Sequence, residues 1–188
     1  GITVRVERTL FMGKSAFQEA AVFETEDYGR MLVLDGAIQT TECDEFIYHE
    51  MIVHVPMCSH PNPRRVLVVG GGDGGCVREA LWHPEAESVT LVEIDEMVVD
   101  CCRRFLPGIA GKLDDPRVEV RIEDGVKFVQ KHKQAFDVII VASTDPVNMP
   151  SPPPRAPFFR AAKEALAPGG PYAGQSQGPG VEARGMRR

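Results

Sequence analysis

The sequence predicts an α/β fold: a parallel sheet wrapped by helices, preceded by a small antiparallel β domain. Three observations carry this. Residues 65–95 read as strand, glycine turn, helix, strand and acid, half of a nucleotide-binding α/β unit. Downstream, apolar strand-like stretches alternate with helical ones, the pattern of a parallel sheet. Residues 1–40, by contrast, hold only short β-type stretches joined by turn signals.

Taken in order, Val4 and Val6 alternate with Arg5 and Glu7, and residues 20–25 and 30–34 are further strand candidates. Asp27-Tyr28-Gly29 and Asp35-Gly36 supply the turns. So small a sheet must pack on the rest of the chain or on a second subunit. Residues 42–55 predict a helix with Thr41 or Asp44 as cap and Ile47, Tyr48, Met51, Ile52 and Val55 as its apolar face. His49-Glu50 opens an HExxH pattern, but Val53 stands where the second histidine is required and His54 is off the face, so no metal is expected. Pro61-Asn62-Pro63 leads into the first central strand. The domains are then expected at residues 1–41 and 42–188.

The central strand is the run Val66, Leu67, Val68, Val69, β-branched and apolar enough to be buried on both faces. A helix over 76–82 ends at His83-Pro84, and a strand over 89–92 delivers Glu93 and Asp95. A helix over 96–105 stops at Pro107-Gly108. A third strand, 117–122, runs into Glu123-Asp124-Gly125 and a helix to about Lys131; a fourth, 136–141, runs into residues 142–146. Prolines 146, 150, 152, 153, 154 and 157 leave only a loop, read as lying over the cleft. A helix over 158–166, a fifth strand near 172–175 and an unstructured tail over 178–188 complete the chain.

The glycines satisfy G-x-G-x-x-G at Gly70, Gly72 and Gly75. After a strand, before a helix and with an acid about 20 residues on, that pattern indicates a nucleoside-type ligand, with Glu93 accepting from a ribose diol. Asp73 discriminates among such ligands. A dinucleotide would rest its pyrophosphate on this turn, and a carboxylate there repels phosphate. A phosphate-free cation such as an adenosyl sulfonium is attracted instead. Asp73 and Asp124 also suit plain helix caps. Yet Glu93, Asp124 and Asp145 follow three successive strands, and with Asp73 they converge on one rim, where open α/β sheets bind ligands. Gln18 and Gln39 are candidate polar contacts to the same ligand, though solvated glutamine accounts for their spacing equally well.

The net charge of −6 over 188 residues argues against a nucleic-acid partner. Five cysteines, odd in number and without a CxxC, indicate reduced thiols rather than a disulfide framework or zinc site. With no signal peptide or apolar membrane-length run, a cytoplasmic protein with no membrane partner is expected.

Five stretches carry a family resemblance: residues 34–56 (LDGAIQTTECDEFIYHEMIVHVP), 66–81 (VLVVGGGDGGCVREAL), 92–99 (VEIDEMVV), 123–125 (EDG) and 143–147 (STDPV). In these the sequence resembles the polyamine aminopropyltransferases, spermidine synthases most closely. The resemblance implies an N-terminal β domain, a methyltransferase-like Rossmann fold and a homodimer or homotetramer. It implies transfer of an aminopropyl group from decarboxylated S-adenosylmethionine to putrescine, giving spermidine and methylthioadenosine, with no prosthetic group. Gln18, Gln39, Glu93, Asp124 and Gly125 match donor-contacting positions, beside the turn glycines Gly70 and Gly72, and Asp73 matches the acid that meets the donor's amine. Tyr48, His49 and Asp145 match the diamine channel, Tyr48 and Asp145 as catalytic candidates. The sulfonium leaving group is already activated, so this chemistry calls for no metal.

Three departures from the family pattern stand out. Ala142 occupies the place of the family's proton-accepting aspartate, in ASTDP where DSTDP is typical. The loop after Asp145 is unusually rich in proline. The resemblance also implies more strands after residue 175, so a sheet truncated on its C-terminal side is expected. Two other readings compete: an S-adenosylmethionine-dependent methyltransferase, and a non-catalytic binding or oligomerising remnant. A nicotinamide oxidoreductase is disfavoured by Asp73.

Overall fold

A computed structural model of the protein describes residues 3–142 and 155–175. Residues 146–154 of the expected proline loop, the 178–188 tail and Asp145 lie outside them; the loop's expected last residues, 155–157, instead form the first turn of a helix, where Pro157 costs no intrahelical amide bond. The chain first builds an antiparallel meander, β1 (Val6–Lys14), β2 (Glu19–Thr25), β3 (Gly29–Leu34) and β4 (Ala37–Thr41), paired in that order. Asp35 and Gly36 both take positive φ (48° and 79°), and Leu34 pairs with Ala37, so the Asp-Gly step is a two-residue hairpin turn. That turn obliges the chain to return as β4, a strand absent from the sequence reading.

Helix α1 (Glu45–Ser59) leads into the second sheet. Its strands are β5 (Arg65–Gly70), β6 (Ser88–Glu93), β7 (Val118–Ile122), β8 (Val138–Ala142) and β9 (Tyr172–Gly174), all parallel, in the order β7-β6-β5-β8-β9. The helices between them are α2 (Gly75–Ala80), α3 (Glu96–Phe105), α4 (Pro107–Ala110), α5 (Gly125–Gln130) and α6 (Arg155–Ala165). Pro107-Gly108 was read as a stop; it ends α3 but also starts the single turn α4, with proline at its first position, where no amide bond is lost.

Strand β5 lies inside both layers. Val66 and Val68 join the core shared with α1–α4 and the meander, whereas Leu67 and Val69 join the core under α5 and α6. Val66, Leu67 and Val68 are wholly buried, each worth about 1.5–3 kcal/mol of hydrophobic stabilisation. From β5 the chain proceeds outward to β6 and β7, then returns to β8 on the other side. The order therefore reverses between β5 and β8, and the crevice at their C-terminal ends is where a ligand is received in such sheets.

The meander packs on this sheet through Ala20, Val22, Leu32 and Leu34, and Arg30 donates to the Phe105 carbonyl at the end of α3. Among the described residues, no helix is long and apolar enough to cross a membrane.

One expectation is reversed. The apolar stripe assigned to the α1 core faces outward: Ile47, Met51 and Val55 are 60, 64 and 55% exposed, and only Ile52 is partly covered by the core. The buried stripe is His49, Val53, Pro56 and Met57. Both stripes have helical spacing, so periodicity could not choose between them. The choice follows from His49, a polar side chain that is buried because it has partners inside.

Candidate active site

The glycine turn shapes the crevice. Gly70, Gly71 and Gly74 all have positive φ (75°, 73° and 85°), a backbone course open mainly to glycine. Gly72 and Gly75 are glycines for a second reason. A Cβ on Gly72 would stand 3.0 Å from Glu93 Cγ, and one on Gly75 would stand 2.2 Å from the His49 ring. The third glycine of the fingerprint thus makes room for a histidine.

Asp73 sits at the tip of this turn. Its Oδ1 accepts from the Gly75 amide at 2.8 Å and lies 3.4 Å from His49 Nε2. The other imidazole nitrogen, Nδ1, lies 2.5 Å from Glu45 Oε2, one helical turn back on α1. Arg78 on α2 holds Glu45 and Glu79, each at 2.8 Å, and His54 meets Glu79 at 3.2 Å toward solvent. Burial works against charge on His49, but the hydrogen bonds and charges of Asp73 and Glu45 raise it to about 9. Burial likewise pushes Asp73 up, but the His49 hydrogen bond and charge, the Gly75 amide and Arg78 together hold it below the ordinary carboxylate value. Asp73 is thus an anion, with its side chain 15% exposed at the crevice.

Glu93 ends β6 as expected, 9% exposed. It already accepts from the Ile94, Asp95 and Gly72 amides at 2.8, 3.1 and 3.2 Å. Burial raises its carboxyl, with those amides opposing. A carboxylate has about four acceptor directions, so a ribose diol would take the remaining one and compete with Gly72 for another. Asp124 caps α5, with Oδ1 accepting from Val126 and Lys127 at 2.8 and 3.2 Å. Gly125 beside it leaves room for Val69, whose Cγ1 would be 2.5 Å from a Cβ there.

From the meander, Gln18 reaches across to donate to Asp95 Oδ2 at 3.0 Å, and Ser15 does so at 2.7 Å. Asp95 in turn caps α3. The turn before β2 is thereby pinned beside Glu93. Gln39 is turned to its own strand, donating to the Ala37 carbonyl at 3.2 Å. Tyr48 is 37% exposed, packs edge-on against His49 and donates to Gln175 Oε1 at 3.3 Å, just past β9. Burial, then the neighbouring Cys76 thiol and Asp73 carboxylate, push its phenol up. His49 is not on the channel surface where it was expected; its ring is 2% exposed. Ala142 ends β8, paired in register with Gly70, and its Cβ would lie 3.2 Å from a Cβ on Gly71.

The turn, Asp73, Glu93, Asp124, Tyr48 and Ala142 therefore gather round the C-terminal edge of the sheet. Glu45, Arg78, Ser15 and Gln175 had no part in the sequence reading. Glu45 had a signal, since it stands four residues before His49 on one helix face; the others depend on contacts distant in sequence. Among the described residues, no cluster of three or more histidine, cysteine, aspartate or glutamate side chains could hold a metal ion. A surface hollow of about 290 Å³ between α5 and α6, lined by Val129, His132, Arg160 and Glu164, is at the end of α5 away from Asp124.

An acid-bearing glycine turn on a parallel sheet with an N-terminal meander is an arrangement found in known proteins. The spermine/spermidine synthase domain matches residues 45–187, and the spermidine synthase tetramerisation domain matches residues 1–42. This chain belongs to the spermine/spermidine synthase family. A polyamine aminopropyltransferase of Moorella thermoacetica is 52% identical over 187 residues, covering 100% of this chain and 66% of that protein. The spermidine synthase of Thermotoga maritima superposes with a TM-score of 0.86 at 40% identity, over 94% of this chain and 59% of that one. A spermidine synthase in complex with the transition-state analogue AdoDATO gives a TM-score of 0.88 at 40% identity, over 94% and 60%. The fold is accordingly the Rossmann-like methyltransferase fold with an N-terminal antiparallel sheet that the resemblance implied. The chain spans about two thirds, or slightly less, of the length of these relatives.

Proposed function

We propose that this chain binds decarboxylated S-adenosylmethionine and putrescine, for aminopropyl transfer to spermidine and methylthioadenosine. The observation that carries the reading is Asp73, an anion held at the tip of the turn where a dinucleotide would need to seat its phosphates. That charge suits an adenosyl sulfonium with a free amine. It disfavours S-adenosylmethionine itself, whose carboxylate would be repelled, and hence the methyltransferase alternative. Glu93 serves the ribose, and Asp124 with Gly125 the adenine edge. Gln18 borders the donor from the meander, and Gln39, turned to its own strand, would reach it only by releasing the Ala37 carbonyl. Tyr48 lines the acceptor path, and Asp145, outside the described residues, matches the family's acceptor position.

In the reaction, an amine lone pair of the acceptor attacks the methylene carbon bonded to sulfur. The C–N bond forms as the C–S bond breaks, and its electron pair returns to sulfur, leaving a neutral thioether. The attacking nitrogen must shed a proton, and Ala142 offers nothing to take it. General-base assistance is worth about 10²- to 10⁴-fold. We therefore read the chain as a competent binder with slow turnover, acting in the cytoplasm. Exposed Met12, Phe17 and Ile38 on the meander (72, 56 and 52%) and the tetramerisation-domain match over residues 1–42 support a homo-oligomer.

The test combines calorimetry with mass spectrometry after incubation with both substrates. Binding of decarboxylated donor in preference to S-adenosylmethionine, with slow accumulation of methylthioadenosine and spermidine, is the expected result. Preference for S-adenosylmethionine or for NADH would refute the reading.

A further inference from the structure

We propose that Asp95 is a positioning residue: across the domain boundary its Oδ2 holds the side-chain nitrogen of Gln18, which leaves the carbonyl end, Oε1, as the part of Gln18 offered to the donor. The inference deepens the functional reading above and rests on it, since that reading makes Gln18 a donor contact; what is added is the residue that aims it. Asp95 is 1% exposed and divides its two oxygens between the domains. Oδ1 accepts from the Met97 amide at 3.1 Å and caps α3. Oδ2 accepts from Ser15 Oγ at 2.7 Å and from Gln18 Nε2 at 3.0 Å, both on the turn before β2. The amide of Asp95 donates to Glu93 Oε1 at 3.1 Å, so the residue that grips the meander also adjoins the ribose acid.

The turn leaves Gln18 little other freedom. Its amide donates to Ser15 Oγ at 3.1 Å and its carbonyl accepts from the Ser15 amide at 3.0 Å, so the backbone of the turn is closed on itself. The Phe17 amide also donates to Ser15 Oγ, at 3.0 Å. That oxygen already accepts twice, and its single hydrogen goes to Asp95 at 2.7 Å rather than to the Gln18 carbonyl at 3.3 Å. Met97 closes the same boundary, since a Cβ on Gly13 would stand 3.0 Å from its Sδ. What remains open is the sense of the Gln18 side-chain amide, and Asp95 decides it. A carboxylate only accepts, so it takes the NH2 end and leaves the carbonyl free. Among the described residues, nothing donates to Gln18 Oε1. Gln18 therefore meets a ligand as an acceptor, suited to a hydroxyl or amine hydrogen, and it is aimed before the ligand arrives.

Exchanging the two functional groups tests this. Asp95→Asn keeps an oxygen for the α3 cap but faces Gln18 with an NH2 group, so the Gln18 amide must reverse and meet the ligand as a donor. Gln18→Glu sets two carboxylates against each other. The double variant, Asp95→Asn with Gln18→Glu, keeps the net charge and restores the pairing. The asparagine NH2 then donates to one glutamate oxygen, and the other is again an acceptor for the ligand. Calorimetry with methylthioadenosine, beside a urea unfolding curve for each chain, reads the outcome. Each single variant should bind methylthioadenosine roughly 3- to 10-fold more weakly than the parent, the scale of one hydrogen bond. The double variant should return to within about twofold of the parent. Unchanged affinity in either single variant would overturn the inference and leave Asp95 as a clasp between the domains, visible only in the urea midpoints. A double variant that binds no better than Gln18→Glu would overturn it as well, and that comparison holds even where Asp95→Asn alone does not fold. A parent chain that does not bind methylthioadenosine would instead overturn the functional reading on which the inference rests.

Discussion

Strands β5 and β8 end side by side at the point where the sheet order reverses, and what they carry there differs sharply. Beyond β5 stands Asp73, gripped by a backbone amide and a buried histidine whose own partners reach into α1 and α2. At the end of β8 stands Ala142, a methyl group with nothing to ionise. The two ends meet different needs. Holding a cationic donor requires a fixed anion, and that half is built with a supporting network several residues deep. Deprotonating an acceptor requires a second acid across the crevice, and that half is missing one atom group. On the proposed function, recognition and turnover would therefore be separable in this chain.

Restoring the missing acid should break the contrast with the largest effect. Ala142→Asp is expected to raise steady-state formation of methylthioadenosine about 10²- to 10⁴-fold, while donor affinity moves little. Gly71 opposite leaves space for the longer side chain, since no Cβ projects toward position 142. A parent chain already turning over at the rate of Ala142→Asp would show that the proton finds another acceptor. Removing the existing acid tests the other strand. Asp73→Asn should weaken decarboxylated donor roughly 10- to 100-fold in calorimetry and leave methylthioadenosine bound. Gly75→Ala attacks the support rather than the acid. Its Cβ would fall 2.2 Å from the His49 ring, so denaturant unfolding should register a loss of about 1–3 kcal/mol. Stability equal to the parent would mean that the ring has somewhere else to go.

The same contrast marks what was legible in the sequence. The β5 end was read from local signals: the Val66–Val69 run set the strand, the glycines set the turn, and Glu93 fell at the next strand end. Ala142 was equally plain, because an absent acid shows directly in a sequence. The network behind Asp73 was not legible. Its members come from α1, the turn and α2, and nothing in their spacing says which face of α1 is inward. The apolar residues Ile47, Met51 and Val55 suggested the wrong face, since burying His49 is favourable only once Glu45 and Asp73 are known to meet it. Gln18 stands out in the sequence but its partner does not: the meander's contact with Asp95 joins positions 77 residues apart. Strand β4 carries no strand pattern of its own in the sequence, although the Asp35-Gly36 turn that produces it is plain there.

The mildest probe is pH, and it isolates the β5 end because position 142 has no group to titrate. His49 is raised from its ordinary 6.5 to about 9 in the folded chain. A raised value means that the folded state binds the proton more tightly than the unfolded one. The stabilisation it contributes is complete below about 6.5 and is lost as pH climbs through about 9. Asp73 and Glu45 are both lowered, so their contribution has the opposite sense, present above the ordinary carboxylate range and lost in acid. Urea unfolding of the parent and of His49→Gln, compared from pH 5 to pH 10, should therefore show the widest gap in stability between about pH 5 and 6.5. The gap should then narrow toward alkaline pH as the parent's imidazolium deprotonates. A gap of constant size across that range would mean that the ring packs as a neutral group, donating to only one of its two carboxylates.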